Sequence, residues 1–230
     1  MIGIIGAMEE EVRQLKQAMS DVSITCYASM EFYSGKIGEK DVVVVRSGIG
    51  KVNAAICTQI LVDQFKVERI LNTGIAGSLN PAIDIGDIVL STDALQHDVD
   101  AAAFGYAPGV IPQMPVSIFP SDPDLIKLAE EICKQVNPEI HVFTGRIVSG
   151  DQFIADPEKK QWLIHTFHPF GTEMEGAAVA QTSFLNHLPF LIIRAISDKA
   201  DESAKVDYPT FEAEAIKHCV RLVKALLAAL

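Results

Sequence analysis

Residues 2–19 read IGIIGAMEEEVRQLKQAM, in which a short apolar run ends in glycine and passes directly into a helical pattern. The run Ile2–Gly6 contains no polar side chain, as expected for a strand that is covered on both faces of a sheet. In the segment that follows, Val12, Leu15 and Met19 recur at helical spacing and would cover such a sheet. A strand followed by a covering helix is the repeating unit of an α/β fold.

The same unit recurs along the chain, which predicts one α/β domain over residues 1–230. Strands are predicted at Ile2–Gly6, Val42–Arg46, Arg69–Thr73, Asp87–Ser91, Val142–Ser149 and Phe190–Ile196. Helices are predicted at Glu9–Met19, Val52–Phe65, Leu125–Val136 and roughly Pro209–Leu230, and EMEGAA at 173–178 is expected to open another helix.

Length and composition favour a globular enzyme and argue against several other classes of protein. The chain has 230 residues, of which 49% are hydrophobic and 21% charged, so it can bury a large core. Its 30 acidic and 19 basic side chains give a formal charge of −11, which opposes binding to nucleic acid or to an anionic membrane. Apolar runs such as Phe190–Ile196 are far shorter than the roughly 18 residues of a membrane span.

The cysteines and the first residues predict a reduced protein that stays inside the cell. Cys26, Cys57, Cys133 and Cys219 are scattered without a CxxC pair, which is typical of free thiols rather than of a disulfide framework or a zinc site. The segment MIGIIGAMEEEV has no basic region ahead of its apolar run, so we expect no secretory signal and a cytoplasmic location.

Acidic residues follow several predicted strands, where ligands of open α/β sheets bind. The three glutamates at 9–11 exceed what the dipole of a helix start needs, so one of them is expected to point back into the cleft. Glu173 and Glu175 cannot share one helical face, so one is expected to face the site and the other to support structure. Asp198 ends a buried strand, which suits a catalytic acid, although a helix cap or an ion pair fits as well.

Other motifs favour structural roles. GIGK at 48–51 lacks the spacing of a P-loop and the third glycine of a dinucleotide site, so it predicts a tight turn whose backbone amides face a ligand. His97, Asp98 and Asp100 are metal-ligand types, but no second cluster at matching spacing supports a metal site. A GxSxG motif is absent, which disfavours an acyl-enzyme. We therefore expect neither a metal nor a cofactor.

Seven segments in order resemble the nucleoside phosphorylase/nucleosidase family, over nearly the whole chain. They are IGIIGAMEEEV (2–12), SGIGKVNAA (47–55), NTGIAGSL (72–79), HDVDAAAFGY (97–106), IVSGDQFI (147–154), EMEGAAVA (173–180) and RAISDKAD (194–201). They are most similar to the branch that hydrolyses the N-glycosidic bond of 5'-methylthioadenosine and S-adenosylhomocysteine. The resemblance implies a three-layer fold with a central, largely parallel mixed sheet flanked by helices, and a homodimer that acts on a small thio-nucleoside.

The resemblance also implies roles for individual residues. Glu11 would be the base that activates the attacking water, and Asp198 the acid that protonates N7 of adenine. Glu175 would hold the ribose hydroxyls and would itself be fixed by Arg194. The other implied substrate contacts are Phe153, Ile154 and Ser197 at the purine, Met174 and the backbone of Gly77 at the sugar, Met8, Ile49 and Tyr208 at the sugar and 5' tail, and Phe104, Tyr106 and Pro112 from the neighbouring subunit.

Two departures and three rival functions stay open. Ile75 stands where many relatives have serine and Ala101 where a larger apolar residue is common, which affects substrate affinity rather than the class of reaction. A purine or uridine phosphorylase needs cations around its phosphate, whereas Asn72 and the acidic run at 9–11 occupy those regions and only Arg46 is a candidate. Aminodeoxyfutalosine hydrolysis is the alternative within the branch, and a non-catalytic nucleoside sensor is the alternative outside it.

Overall fold

The structure, a computed structural model, describes residues 1–201 and 204–230. Within these residues one mixed sheet contains ten strands. They are β1 (Ile2–Gly6), β2 (Ser20–Tyr27), β3 (Met30–Ile37), β4 (Lys40–Arg46), β5 (Arg69–Ser78), β6 (Ile88–Gln96), β7 (Phe119–Pro120), β8 (Val142–Ser149), β9 (Gly171–Glu173) and β10 (Phe190–Asp198). The α-helices are α1 (Glu9–Gln17), α2 (Lys51–Phe65), α3 (Pro123–Val136), α4 (Pro157–Phe167), α5 (Gly176–Leu185) and α6 (Ala204–Ala229).

The sheet has an open half and a closed half. In the open half β1 lies parallel to β4 and β5, and β3 and β2 continue from β4 as antiparallel strands. In the closed half β10 pairs with both β5 and β6, β8 pairs with β6 and β9, and β9 returns to β5. Strands β5, β10, β6, β8 and β9 therefore form a ring. The predicted mixed α/β sheet is confirmed.

Alternating side chains of the central strands build two cores, one on each face of the sheet. Ile4 and Val44 pack into a core that includes Val12 of α1 and residues of α3 and α6. Ile5 and Val45 point to the opposite face and pack with α2 and α5, as the two-residue period of a strand requires. Helices thus cover both faces, and the expected three layers are confirmed.

Helices α3 and α4 begin with the same pair of residue types. The side chains of Asp122 and Asp156 accept hydrogen bonds from the backbone N–H groups of Leu125 (2.9 Å) and Lys159 (2.7 Å). Proline follows each aspartate at the first helical position, where its missing N–H costs nothing. Of the described helices, none is long and apolar enough to span a membrane.

The six strands predicted from apolar runs are confirmed, but three of them end further along the chain than predicted. β5, β6 and β10 extend to Ser78, Gln96 and Asp198 because their final residues pair within the ring. The patterns do not predict four strands, β2, β3, β7 and β9. β2 is exposed along its whole length, β3 mixes buried and exposed residues, and β7 and β9 have only two and three residues. Helix α6 begins at Ala204, ahead of the predicted Pro209.

Candidate active site

A cavity of about 220 Å³ lies at the ends of β1, β5 and β10, where the sequence predicts a ligand. Ten of the residues that the resemblance suggested line it: Met8, Glu11, Ile49, Gly77, Phe153, Met174, Glu175, Ser197, Asp198 and Tyr208. Its other lining residues are Ala7, Ile75, Ala76, Thr172 and Glu173. Among the described lining residues four are carboxylic acids and none is a lysine or an arginine.

Glu11 lies in the first turn of α1 and points back under the sheet edge, as one of the three glutamates was expected to do. Its Oε2 accepts hydrogen bonds from the backbone N–H groups of Ala7 (2.7 Å) and Met8 (2.9 Å), and its Oε1 accepts one from Ile75 (3.2 Å). A Cβ atom at Gly74 would lie 2.4 Å from Oε1. The site therefore needs glycine at this position of β5.

The surroundings of Glu11 act on its charge in opposite directions. Burial raises the pKa of its carboxyl above the ordinary value, while Arg194 and the three backbone N–H groups lower it. Backbone N–H groups only donate, so all three of these bonds favour the carboxylate form. The neighbouring glutamates are used elsewhere, since Glu9 pairs with Lys16 and Glu10 with Arg13.

Asp198 ends β10 and is 2% exposed. Its Oδ1 accepts a hydrogen bond from the backbone N–H of Ala200 (2.8 Å), and its Oδ2 accepts one from the hydroxyl of Ser197 (2.9 Å). Burial raises the pKa of the Asp198 carboxyl, and Ala200 and Ser197 oppose the rise. A Cβ atom at Gly77 would lie 2.8 Å from Oδ1, so a second glycine of β5 makes room for the second carboxyl.

Glu175 stands directly before α5 and is 6% exposed. Its Oε1 accepts a hydrogen bond from the backbone N–H of Gly50 (2.7 Å). Gly50 has φ +100°, a left-handed conformation that side chains other than glycine rarely adopt. Burial, followed by the neighbouring Glu173, raises the pKa of the Glu175 carboxyl.

Arg194 does not bind Glu175 directly, which corrects the expectation from the resemblance. Its Nη2 donates to Oε2 of Glu173 (2.5 Å) and to Oδ1 of Asn72 (2.6 Å). The same Glu173 oxygen accepts the backbone N–H groups of Glu175 (3.1 Å) and Gly176 (2.7 Å). Arg194 therefore anchors the start of α5 through Glu173, because a buried guanidinium needs an opposite charge. As expected for two glutamates separated by one residue, Glu175 and Glu173 have different tasks.

Aromatic and thioether side chains form one wall of the cavity. Phe153 is 53% exposed, and its ring meets Tyr208 edge to face with 6.0 Å between the centroids. The Tyr208 hydroxyl lies 3.3 Å from the sulfur of Met8. Ile154 lines a small adjoining cavity that also contacts Phe153 and Asp198. This wall is polarizable and apolar, which suits a purine face or a thioether.

Five of the residues suggested by the resemblance are not among the lining residues of this cavity: Ile154 and Arg194, described above, and Phe104, Tyr106 and Pro112. Phe104 and Tyr106 belong to an exposed segment after β6, and 84% of Phe104 is exposed; neither they nor Pro112 is among the lining residues. These three were expected to act from a neighbouring subunit. Arg46, the candidate phosphate ligand, is exposed and is not among the lining residues either.

Three lining residues were not singled out from the sequence: Ala7 and Ala76, which lie inside two of the segments that carry the resemblance, and Thr172, which lies outside all of them. Ala7 follows β1 directly, so its place next to Met8 could have suggested it. Ala76 and Thr172 lie beside Gly77, since β9 pairs Thr172 with Gly77. The short strand β9 gives no periodic signal.

The turn at 48–51 is tight, as predicted, but its amides bind carboxylates of the chain itself. The N–H of Gly50 binds Glu175, and the N–H of Lys51 binds Oδ1 of Asp151 (2.8 Å). The Lys51 ammonium lies 2.6 Å from Oδ1 of Asp98.

The His97 ring is buried against Gly150, and burial lowers its pKa to about 4. In the described part of the chain no cluster of His, Cys, Asp or Glu could hold a metal ion.

Comparison with known proteins gives concordant results at three levels. The family model described as the Phosphorylase superfamily matches residues 1–228. The 5'-methylthioadenosine/S-adenosylhomocysteine nucleosidase of Staphylococcus haemolyticus is 43% identical over 231 residues, which cover 100% of both chains. The crystal structure of the nucleosidase of the same name from Neisseria meningitidis, in complex with methylthio-immucillin-A, has a TM-score of 0.95 and 38% identity, covering 100% of this chain and 99% of that chain. The futalosine hydrolase of Helicobacter pylori strain 26695 has a TM-score of 0.94 and 33% identity, covering 100% and 97%.

Proposed function

The chain belongs to the phosphorylase superfamily, and from this premise we propose that it hydrolyses the N-glycosidic bond of 5'-methylthioadenosine and S-adenosylhomocysteine. The products are adenine and the 5'-thio-substituted ribose. The observation that carries the proposal is a pair of buried carboxyls, Glu11 and Asp198, that line one cavity in different hydrogen-bonding surroundings. Such a division suits one base and one acid.

The two carboxyls have complementary tasks in the reaction. The oxygen of water bonds to C1' of the ribose and gives a proton to Glu11, while the bond from C1' to N9 breaks with its electron pair going to the purine. Asp198 delivers a proton to N7, so adenine leaves neutral. Burial raises the pKa of both carboxyls, and their hydrogen bonds distinguish them. Glu11 accepts three backbone N–H groups, which favour its carboxylate form, whereas Asp198 accepts only one N–H and one hydroxyl. Each proton transfer typically contributes about 10²–10⁴ in rate.

The two carboxyls reach the site at different points along β5. Glu11 approaches the strand at Gly74, and Asp198 approaches it at Gly77. Three residues of strand span about 10 Å. The two groups can therefore act on different parts of one substrate, Glu11 on the water at C1' and Asp198 on the purine. We expect attack from the face opposite adenine, with inversion at C1'.

The remaining lining residues fit the parts of a thio-nucleoside. We assign the purine to Phe153 and Ile154, with Ser197 positioning Asp198, and the ribose hydroxyls to Glu175. The 5' thioether then lies near Met8 and Tyr208, with Ile49 and Met174 completing the sugar and tail region. A hydroxyl in this apolar tail region would lose water without gaining a partner, so adenosine should be a poor substrate.

One assay separates hydrolysis from phosphorolysis. Methylthioadenosine is incubated with and without phosphate, and adenine, methylthioribose and methylthioribose 1-phosphate are separated by chromatography. We expect free methylthioribose at a rate that phosphate does not change, because the cavity lining is rich in carboxyls and the first amides of α2 bind Glu175 and Asp151. Release that depends on phosphate would contradict the proposal. Adenosine and inosine, assayed beside it, should react far more slowly.

Aminodeoxyfutalosine is a second candidate substrate. The similarity to the futalosine hydrolase of Helicobacter pylori, with a TM-score of 0.94, favours testing it in the same assay. Cleavage of this compound at a rate comparable to that of methylthioadenosine would assign both activities to the chain. No cleavage would restrict the enzyme to thio-nucleosides.

We further propose that the chain is one catalytic domain, that it forms a homodimer and that it acts in the cytoplasm, where its free cysteines stay reduced. Several large apolar side chains are exposed, including Ile49 (53%), which lines the cavity, Val52 (69%) and Phe104 (84%). Such a group of side chains is costly to leave in water. In the dimer Phe104, Tyr106 and Pro112 reach the partner's 5' tail region. Sedimentation that shows an active monomer at assay concentration would contradict the dimer.

A further inference from the structure

Lys51, the first residue of α2, is engaged in a closed set of hydrogen bonds beside the cavity. Its ammonium donates to Oδ1 of Asp98 (2.6 Å) and to Oε1 of Gln96 (2.9 Å). Its backbone N–H donates to Oδ1 of Asp151 (2.8 Å), and the backbone N–H of Asp151 donates to Oδ2 of Asp98 (3.0 Å). Lys51 and Asp151 are thus joined directly and again through Asp98. We name Lys51, Asp98 and Asp151 the three-loop clamp.

The clamp ties together three loops that follow different strands. Lys51 comes after β4, Asp98 after β6 and Asp151 after β8. The side chains of Lys51 and Asp98 are only 18% and 15% exposed. A cation in the first turn of a helix opposes the helix dipole, and α2 has no acidic residue in that turn. The position of Lys51 therefore does not serve the stability of α2, and its partners lie on the other two loops.

Two substrate-facing groups are direct neighbours of the clamp. Gly50, whose N–H binds Glu175, precedes Lys51. Phe153, which lines the cavity, is two residues beyond Asp151. A shift of either loop would therefore move a proposed ribose contact or a proposed purine contact. Small displacements of such groups carry large kinetic costs.

We propose that Lys51 and Asp98 are positioning residues, which hold the Gly50 amide on Glu175 and the Phe153 loop in place for the ribose and the purine. The proposal rests on the proposed function for what the substrate is. A positioning role also accounts for the lysine of the GIGK turn. Its ammonium binds Gln96 at the end of β6 and Asp98 in the loop that follows.

The test is a double-mutant cycle with a matched control. Lys51→Met, Asp98→Asn and the double variant are compared with Asp93→Asn, which removes a partly buried ion pair to Arg146 of similar length (2.6 Å) outside the cavity. We expect each clamp variant to lower kcat/KM for methylthioadenosine by roughly 10- to 100-fold, mainly through KM. The double variant should lose less activity than the two single losses combined, because both single variants remove the Lys51–Asp98 pair. Lys51→Arg should retain most of the activity.

The control and a second measurement keep the outcomes distinct. Asp93→Asn should leave kcat/KM unchanged even if it lowers Tm. Amide hydrogen exchange of peptides 47–53 and 150–154 should become faster in the clamp variants, and it needs no substrate. If the wild-type protein releases no adenine, the proposed function fails while the exchange experiment still decides the clamp. Unchanged exchange, additive losses in the double variant, or equal losses in Asp93→Asn and Asp98→Asn would overturn the proposal.

Discussion

Replacing Glu11 by glutamine tests the base, and the structure predicts a specific cost in stability. Both carboxylate oxygens accept backbone N–H groups, two at Oε2 from Ala7 and Met8 and one at Oε1 from Ile75. A glutamine amide has only one oxygen. If this oxygen takes the place of Oε2, the NH₂ group faces the Ile75 N–H, and two donors oppose each other.

The two consequences of Glu11→Gln differ in size. A buried backbone donor left without an acceptor costs about 1–3 kcal/mol, which is less than the 5–15 kcal/mol that typically stabilises a folded protein. Loss of the base should lower kcat by about 10²–10⁴, or roughly 3–5 kcal/mol of activation free energy. The variant should therefore fold, melt at a lower temperature than the wild type, and be almost inactive.

Binding and turnover have to be measured together. Calorimetry with a non-hydrolysable thio-nucleoside gives the Kd, adenine release gives kcat, and thermal unfolding gives Tm. We expect a Kd close to that of the wild type, because the purine and ribose contacts remain. A loss of binding as large as the loss of rate would mean that Glu11 shapes the site rather than activating water, and turnover near the wild-type value would remove it from the reaction.

Three further predictions concern the same carboxyls. Asp198→Asn should lower kcat by about 10² or more without lowering Tm, because the Ser197 hydroxyl can accept from the new amide while the Ala200 N–H keeps its acceptor; a wild-type rate would exclude Asp198 as the acid. Gly74→Ala should impair catalysis by displacing Glu11, since the added carbon would lie 2.4 Å from Oε1; unimpaired kcat would show that Glu11 can move freely. kcat/KM should fall at low pH as Glu11 takes up a proton, with a pKa above the ordinary 4.5. It should also fall at higher pH as Asp198, whose pKa is raised as well, loses its proton. A loss of activity at low pH with an apparent pKa below 4.5 would contradict this prediction.

Much of the fold could be predicted from the sequence, because buried parallel strands leave continuous apolar runs such as Val42–Arg46. The hairpin of β2 and β3 could not, since β2 is an exposed edge strand and β3 mixes buried and partly exposed residues, so neither contains such a run. β9 is too short for any period to appear.

The sequence predicted which residues lie together in the site better than it predicted which of them bind each other. The positions of the strand ends and the resemblance together predicted that Glu11, Glu175 and Asp198 lie in one site, and all three line the cavity. The partner of Arg194 is Glu173 rather than Glu175. That choice depends on where β9 stops and α5 begins, a matter of two residues, and such boundaries are the part of a fold that sequence patterns define least well.

The closed ring of strands has a consequence for the order in which the chain folds during synthesis. β10 pairs with β5, and Phe190 lies opposite Ile70, about 120 residues earlier in the chain. Contacts between residues so distant in sequence form late and slowly. Until residue 190 has left the ribosome, β5 and β6 each expose an unpaired edge, which is a surface prone to aggregation. Asp198 lies at the end of that last strand, so a nascent chain acquires its acid only when the ring can close.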